Sequence, residues 1–130
     1  LRFILKNEFS PIFISSGSGI APFLSMSKSL DLEKKKYKLF HWSKTFDGLV
    51  NYRNFSKQKN IEYHPFVTRE NLTEEGIGNE RISSKDFNKT EESIKYEIYI
   101  CGSDSFVENS SDIIKNIFHK SDIYTERFGS

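Results

Sequence analysis

The sequence predicts an α/β domain, a Rossmann-like three-layer arrangement with about five parallel strands. Short apolar runs alternate with segments of helical periodicity along most of the 130 residues, which is typical of a parallel sheet covered by helices on both faces. The first run, residues 11–14, is almost continuously apolar, as expected of a strand buried on both faces. It ends in small residues, including Gly17 and Gly19, and a helical segment follows. The rest of the chain is organised around this succession of strand, glycine turn and helix.

The remaining elements are predicted from the same alternation. After the helix at residues 21–30, strands are predicted at residues 36–42, 61–67, 97–100 and 123–125. A second helix is predicted with Asp47 as its N-cap, and a third, with a broad apolar face, at residues 105–119. Residues 68–96 are rich in Glu, Asn, Lys and Ser, so we expect loops there with a short helix near residues 84–87.

Composition and charge argue against several classes of function. Nineteen basic and eighteen acidic residues leave a formal charge of +1, so no overall field attracts nucleic acid. No segment approaches the length of a membrane span. The three histidines are scattered and Cys101 is the only cysteine, so we expect neither a metal site nor an internal disulfide. A single cysteine is typical of a reducing compartment, and we expect a cytoplasmic or organellar location.

The turn after the first strand has the chemistry of a phosphate-binding site. Gly17 and Gly19 permit a positive φ and the close approach of a ligand to the backbone. Pro22 suits the first turn of a helix, and the free N–H groups of such a turn, together with the helix dipole, favour a phosphate or pyrophosphate. A tight connection without a ligand explains these residues about equally well on spacing alone.

A resemblance to a known family begins in this turn, which reads Gly17-Ser18-Gly19-Ile20-Ala21-Pro22. These residues resemble the Gly-Thr-Gly-Ile-Ala-Pro motif of the ferredoxin–NADP reductase superfamily. In that family the motif opens the nicotinamide dinucleotide domain and holds the pyrophosphate. The resemblance therefore implies that residues 17–22 bind the pyrophosphate of the cofactor.

Two further segments resemble the family at the ends of the second and third strands. His41-Trp42-Ser43-Lys44 resembles a segment beside the cofactor that ends in Gly-x-Arg, which implies that Ser43 and Lys44 contact the cofactor. As an alternative, Lys44 is a surface lysine after a strand. Thr68-Arg69-Glu70 resembles the Ser/Thr-Arg-Glu motif that meets the adenosine 2′-phosphate in NADPH-using relatives.

The resemblance therefore implies a 2′-phosphate site at Thr68 and Arg69. A guanidinium offers a planar fork of donors that suits phosphate oxygens. Two departures from the family concern the adenosine side. Glu80 stands where the family has the Gly of Gly-Arg-Ile/Val, and no downstream Tyr is placed to stack on adenine.

The remaining resemblances concern the nicotinamide end. Cys101-Gly102 resembles a Cys-Gly turn near the nicotinamide, where the thiol helps to position the ring. Glu126 and Phe128 resemble the Glu-x-Phe/Tyr ending of the reductases, in which the acidic residue organises hydride transfer and the aromatic ring lies near the flavin. The resemblance implies catalytic roles for Cys101 and Glu126 and cofactor contacts for Gly102 and Phe128. The alternatives are a buried structural thiol and a frayed C-terminal tail.

Taken together, the resemblance implies the NAD(P)-binding domain of a flavin-dependent oxidoreductase over residues 11–130. Residues 1–10 would be a linker or the end of a flavin-binding barrel that this sequence lacks. The domain would position NADPH for hydride exchange with FAD held by that barrel, and electrons would pass to a ferredoxin- or flavodoxin-like partner. Two alternatives are an NADH-dependent oxygenase reductase and a non-catalytic dinucleotide-binding module with a regulatory role.

Overall fold

The computed structural model describes residues 10–33, 35–70, 72, 76–87, 96–118 and 121–128. Five strands form one parallel sheet: β1 (Ser10–Ser16), β2 (Tyr37–Ser43), β3 (Ile61–Val67), β4 (Tyr96–Gly102) and β5 (Asp122–Arg127). Their spatial order is β3-β2-β1-β4-β5. The chain therefore builds outward from β1 on one side and then returns to add β4 and β5 on the other. The predicted Rossmann-like α/β fold is confirmed.

Helices cover both faces of the sheet. α1 (Ala21–Leu32) and α2 (Tyr52–Lys57) lie on one face, where Phe23, Leu30 and Phe55 join a cluster with the inward residues of the strands. α3 (Asp104–Ile117) lies on the other face, where Val107 and Ile114 pack in a second cluster. Because β1, β2 and β4 are buried on both faces, they read as nearly continuous apolar runs, whereas the edge strands β3 and β5 are partly exposed. The predicted three layers are present.

The predicted N-cap role of Asp47 is wrong. Asn51 precedes α2 with a φ of 60° and makes no side-chain capping bond. Asp47 lies instead in a 3₁₀ turn, Phe46–Gly48, whose first N–H donates to Glu70 Oε1 at 2.5 Å. The carboxylate at the start of this turn therefore comes from the segment that follows β3, which the sheet brings beside the segment that follows β2.

Several element boundaries differ from the predicted ones. β5 extends beyond the predicted residues 123–125 to Arg127, so its last residues are held in the sheet. The short helix expected near residues 84–87 is present as the 3₁₀ turn Ser84–Phe87. The predicted end of the third helix at residue 119 lies outside the described residues, as do residues 1–9 of the predicted linker. Residue 10 begins β1.

The outer edge of β3 is covered by a short return of the chain. The Gly78 N–H donates to the Pro65 carbonyl, and the Val67 N–H donates to the Gly78 carbonyl, each at 2.9 Å. These bonds form a one-residue parallel bridge between Phe66 and Gly78. The bridge satisfies backbone groups that an edge strand leaves unpaired, and it holds residues 78–80 beside the carboxyl end of the sheet.

Candidate functional site

The candidate site lies at the carboxyl ends of the strands, where β1 and β4 are neighbours. The connections leaving these two strands run in opposite directions along the sheet, which opens a crevice between them. Ser16 ends β1 and Gly102 ends β4. In open parallel sheets this switch point is the usual place for a ligand.

The glycine turn connects β1 directly to a helix. A 3₁₀ turn, Gly17–Ile20, continues without interruption into α1, and Pro22 lies in the first turn of α1. Gly17 has a φ of +51°, as predicted, and a side chain there would meet no atom within 4 Å. The first N–H groups of a helix have no intrahelical partner, so the exposed backbone at Gly17 and Ser18 offers donors to an anion.

Gly19 has a different reason for being glycine than the positive φ that we predicted. Its φ lies outside the left-handed region, and the residue is buried. A Cβ at this position would overlap the carbonyl oxygen of Cys101 and crowd the Gly102 nitrogen. Gly19 therefore lets the turn after β1 rest directly on the backbone at the end of β4.

Gly102 completes this contact from the other side. A Cβ on Gly102 would overlap Ser16 Oγ and press against the Phe106 ring, which belongs to α3. The N-terminus of α3 is held nearby by Ser103, whose Oγ accepts from the Phe106 N–H at 3.3 Å. The two glycine-bearing strand ends thus form one interlocked backbone surface.

A row of four buried polar side chains lies beneath this surface. Ser15 is in register with His41 of β2 and with Cys101 of β4, and Cys101 is in register with Glu126 of β5. Residues in register on parallel strands face the same side of the sheet, and here it is the side that α1 covers. Their exposed fractions run from 0% at His41 to 8% at Glu126.

Cys101 is a protonated thiol in this environment. Burial, together with a smaller contribution from the neighbouring Glu126 carboxylate, raises its pKa to about 12. The thiolate is the nucleophilic form of cysteine, so Cys101 offers shape and polarizability at neutral pH rather than a nucleophile.

Glu126 lies within the sheet, so the alternative of a frayed tail is wrong for this residue. Among the described residues, its Oε2 has no hydrogen-bond partner although the atom is buried. Phe128 follows β5 with 46% of its surface exposed, and its N–H donates to the Gly102 carbonyl at 3.0 Å. The backbone of Phe128 is thereby tied to the end of β4, and its aromatic ring is left in contact with solvent.

The predicted phosphate residues of β2 and β3 are brought together. The N–H groups of Thr68 and Arg69 donate to the carbonyls of Ser43 and Lys44, at 2.9 and 3.0 Å. The side chains of Lys44 and Arg69 are both exposed, so this corner carries two cations. The Ser43 hydroxyl donates to the Thr45 carbonyl at 2.8 Å.

The corner after β2 and β3 is shaped by Trp42, a residue to which the sequence assigned no role of its own. Its indole stacks on the Phe66 ring, with centroids 4.2 Å apart and planes inclined by 4°, and its Nε1 donates to the Glu80 carbonyl at 2.9 Å. The Glu80 side chain is exposed. The loop that contains Glu80 is therefore attached to the sheet through its backbone.

His41 is a second residue for which the sequence predicted no role. Its Nε2 lies 3.1 Å from the Gly17 carbonyl oxygen. Burial lowers the pKa of His41, and the bond to Gly17 offsets this only in part, so the ring is neutral at pH 7. The sequence did contain a signal for such a role, because His41 lies at an inward position of β2, the strand beside β1 and its glycine turn.

The predicted residues occur along the edge in the order of the strands. The two cations lie after β2 and β3, the glycine turn follows β1, and Cys101 and Glu126 lie on β4 and β5. Four strand spacings of about 4.8 Å make this edge about 19 Å long. Within the described ranges there is no cluster of three His, Cys, Asp or Glu residues suited to a metal ion. No described helix is long and apolar enough to cross a membrane.

The sheet order and the glycine turn at its switch point define a Rossmann-like α/β domain. No protein-family model and no curated protein matches this sequence. Solved structures do match in fold, including the FAD/NAD-binding domain of nitric oxide dioxygenase from Vibrio cholerae. That structure has a TM-score of 0.79 and 15% identity over 99% of this chain, which spans 55% of its length.

Two other matches are a cytochrome P450 reductase from Amycolatopsis and the ferredoxin–NADP⁺ reductase from Plasmodium falciparum. The first has a TM-score of 0.77 and 16% identity over 96% of this chain, which covers 39% of that structure. The second has a TM-score of 0.63 and 19% identity over 93% of this chain, which covers 52% of that structure. This chain therefore shares its fold with these structures, and the resemblance is confirmed at the level of the fold.

Proposed function

We propose that residues 11–130 are the nicotinamide dinucleotide-binding domain of a flavin-dependent oxidoreductase, in which they position NADPH for hydride exchange with FAD. The observation that carries the proposal is the interlocked surface at the switch point, where the Gly17–Ile20 turn rests on the end of β4. Residues 1–10 would lead from a flavin-binding domain of the same polypeptide. Electrons would pass on to a ferredoxin- or flavodoxin-like partner.

The described residues fit a dinucleotide laid across the strand ends. The open space above Gly17 and the exposed N–H groups of the turn suit the pyrophosphate. Lys44 and Arg69 offer charge and a donor fork to the 2′-phosphate of the adenosine. The nicotinamide would then lie over Cys101, with Glu126 beside it.

In this proposal the protein aligns the reacting groups. NADPH supplies the hydride when bound, and hydride transfer depends on alignment more than on proton abstraction. The neutral thiol of Cys101 would provide a compact surface against the ring. The buried Glu126 Oε2, which has no partner among the described residues, is an acceptor for a polar group of the ligand. Phe128, exposed beside Gly102, would meet the nicotinamide or the flavin.

Calorimetric titration at low salt tests the proposal. We expect the 130-residue chain to bind NADP⁺ more tightly than NAD⁺, and an Arg69→Ala variant to lose that preference. Arg53→Ala is a matched control because Arg53 is an exposed arginine on α2. Equal binding of the two nucleotides by the wild-type chain would contradict the NADPH assignment, and binding of neither would contradict the dinucleotide function of the isolated chain.

One observation favours the alternative of an NADH-dependent reductase. The Glu70 carboxylate accepts from the N–H that begins the 3₁₀ turn after Lys44, so an acidic group lies in the same corner as the two cations. A carboxylate at such a strand end accepts bonds from a ribose 2′-hydroxyl and repels a 2′-phosphate. Glu70→Gln separates the readings, because it would weaken NAD⁺ binding in an NADH enzyme and strengthen NADP⁺ binding in an NADPH enzyme.

A further inference from the structure

The carbonyl of Gly17 has an unusual partner. It points into the sheet, toward the Nε2 of a histidine on β2 that is 0% exposed. A carbonyl oxygen only accepts hydrogen bonds, so the Nε2 of His41 carries the proton. The other ring nitrogen, Nδ1, is buried and has no partner among the described residues. Within the described part of the chain, the ring therefore makes one hydrogen bond, to the glycine turn.

That bond sets the direction of a neighbouring donor. The Gly17 carbonyl and the Ser18 N–H belong to one planar trans peptide, so they point in opposite directions. Because His41 draws the carbonyl down into the sheet, the Ser18 N–H is aimed up and out of it. Both Gly17 and Ser18 are exposed to solvent. Gly17 also begins the 3₁₀ turn, so the bond to His41 adds a side-chain anchor at the first peptide of that turn.

We infer that His41 is a positioning residue for the pyrophosphate of the dinucleotide, and that it acts by holding the Gly17–Ser18 peptide with its N–H directed at the ligand. The inference rests on the proposed function. It assigns His41 no contact with the ligand and no proton transfer. A leucine of similar volume would fill the same space without a desolvation cost. The imidazole adds one hydrogen-bond donor, the Nε2–H, to the glycine turn.

Amide side chains of different length provide the test. The amide nitrogen of glutamine can take the place of the histidine Nε2, whereas that of asparagine corresponds to Nδ1 and falls short of Gly17. We therefore compare His41→Gln with His41→Asn in the 130-residue chain. His64→Gln is a control on β3, where His64 stacks on Phe40 and contacts Glu62, away from the turn.

Each chain is titrated with NADP⁺ and with 2′-AMP, which carries the adenosine 2′-phosphate but no pyrophosphate. We expect His41→Asn to weaken NADP⁺ binding about three- to tenfold, the effect of one hydrogen bond, and to leave 2′-AMP binding unchanged. His41→Gln should bind NADP⁺ nearly as the wild-type chain does. In the absence of ligand, the Ser18 amide should exchange its hydrogen faster in His41→Asn than in His41→Gln.

Three results would overturn the inference: equal NADP⁺ affinity in all variants, equal losses in the glutamine and asparagine variants, or a matching loss of 2′-AMP affinity. If the asparagine variant does not fold, nitrogen NMR of the His41 ring in the wild-type chain provides the test. A proton on Nδ1 instead of Nε2 would contradict the inference. Failure of the wild-type chain to bind NADP⁺ and NAD⁺ is a separate result that contradicts the proposed function itself.

Discussion

Gly19, on the turn after β1, lies directly against the carbonyl of Cys101 at the end of β4. The contact joins the two strands between which the crevice opens. It also explains why the second glycine of the motif is required although its φ is ordinary for any residue. The two glycines of the turn therefore serve different physical needs, which substitutions can separate.

Gly19→Ala should destabilise the fold more than Gly17→Ala. At Gly19 the added methyl overlaps backbone atoms that cannot move aside alone, and overpacking of this kind costs about 1–3 kcal/mol. At Gly17 the space is open, and the cost is the left-handed conformation, about 1–2 kcal/mol. Urea unfolding measures both, and NADP⁺ titration shows whether Gly19→Ala also loses binding. A Gly19→Ala chain as stable as wild type would contradict the close contact.

The Cys101 thiol should be slow to react with thiol reagents in the folded chain. Its pKa of about 12 leaves almost no thiolate at pH 8, and the side chain is 4% exposed. A disulfide reagent should modify it readily in urea and only slowly in buffer. Glu126→Gln removes the carboxylate charge that contributes to the raised pKa, so the folded-state rate should rise modestly with burial still dominant. Rapid labelling of the native chain would contradict this environment.

Stability should fall as the pH drops below the ordinary histidine pKa of 6.5. Burial lowers the pKa of His41 in the folded state, so the unfolded chain binds a proton first as the pH falls. The contribution of the neutral ring is complete above pH 6.5 and is lost below it, by up to about 1.4 kcal/mol per pH unit. Urea unfolding between pH 5 and 8 measures the slope.

His41→Gln should flatten this pH dependence, because glutamine does not titrate. His64→Gln is the control variant. His64 is the other histidine among the described residues, and its Nε2 lies 2.8 Å from Glu62 Oε2. Burial raises the pKa of the Glu62 carboxyl, but His64 and Lys38 outweigh this effect and the pKa is lowered. The contribution of Glu62 to stability is therefore lost only at more acidic pH. An equal slope in wild type and His41→Gln would show that His41 is not the titrating group.

Trp42→Phe should loosen the loop that ends at Ile82. Phenylalanine keeps an aromatic ring against Phe66 but removes the Nε1 donor to the Glu80 carbonyl, which stabilises by about 1 kcal/mol. Tryptic cleavage after Arg81, which is exposed beside that carbonyl, should become faster. Cleavage after Arg53 on α2 is the internal reference and should not change. Equal rates after Arg81 in the two chains would contradict the anchoring role of Trp42.

The sequence by itself determined the local elements and their order. The apolar runs, the small residues at residues 15–19 and the Pro22 helix start were enough to predict strand, turn and helix, because these preferences act between near neighbours. The alternation of elements was enough to predict a parallel sheet. The ordered motifs pointed to the carboxyl edge of the sheet, where the structure joins Lys44 and Arg69 by a backbone hydrogen bond.

Only the tertiary structure decided which distant residues meet. Strand register placed Cys101 beside Glu126 and aligned Ser15 with His41, and no local pattern specifies a pairing between segments so far apart. The same pairing made Glu70, not Asp47, the acidic partner of the 3₁₀ turn. Gly19 and His41 gained their roles from backbone atoms on neighbouring strands, whose positions are set by packing of the whole sheet.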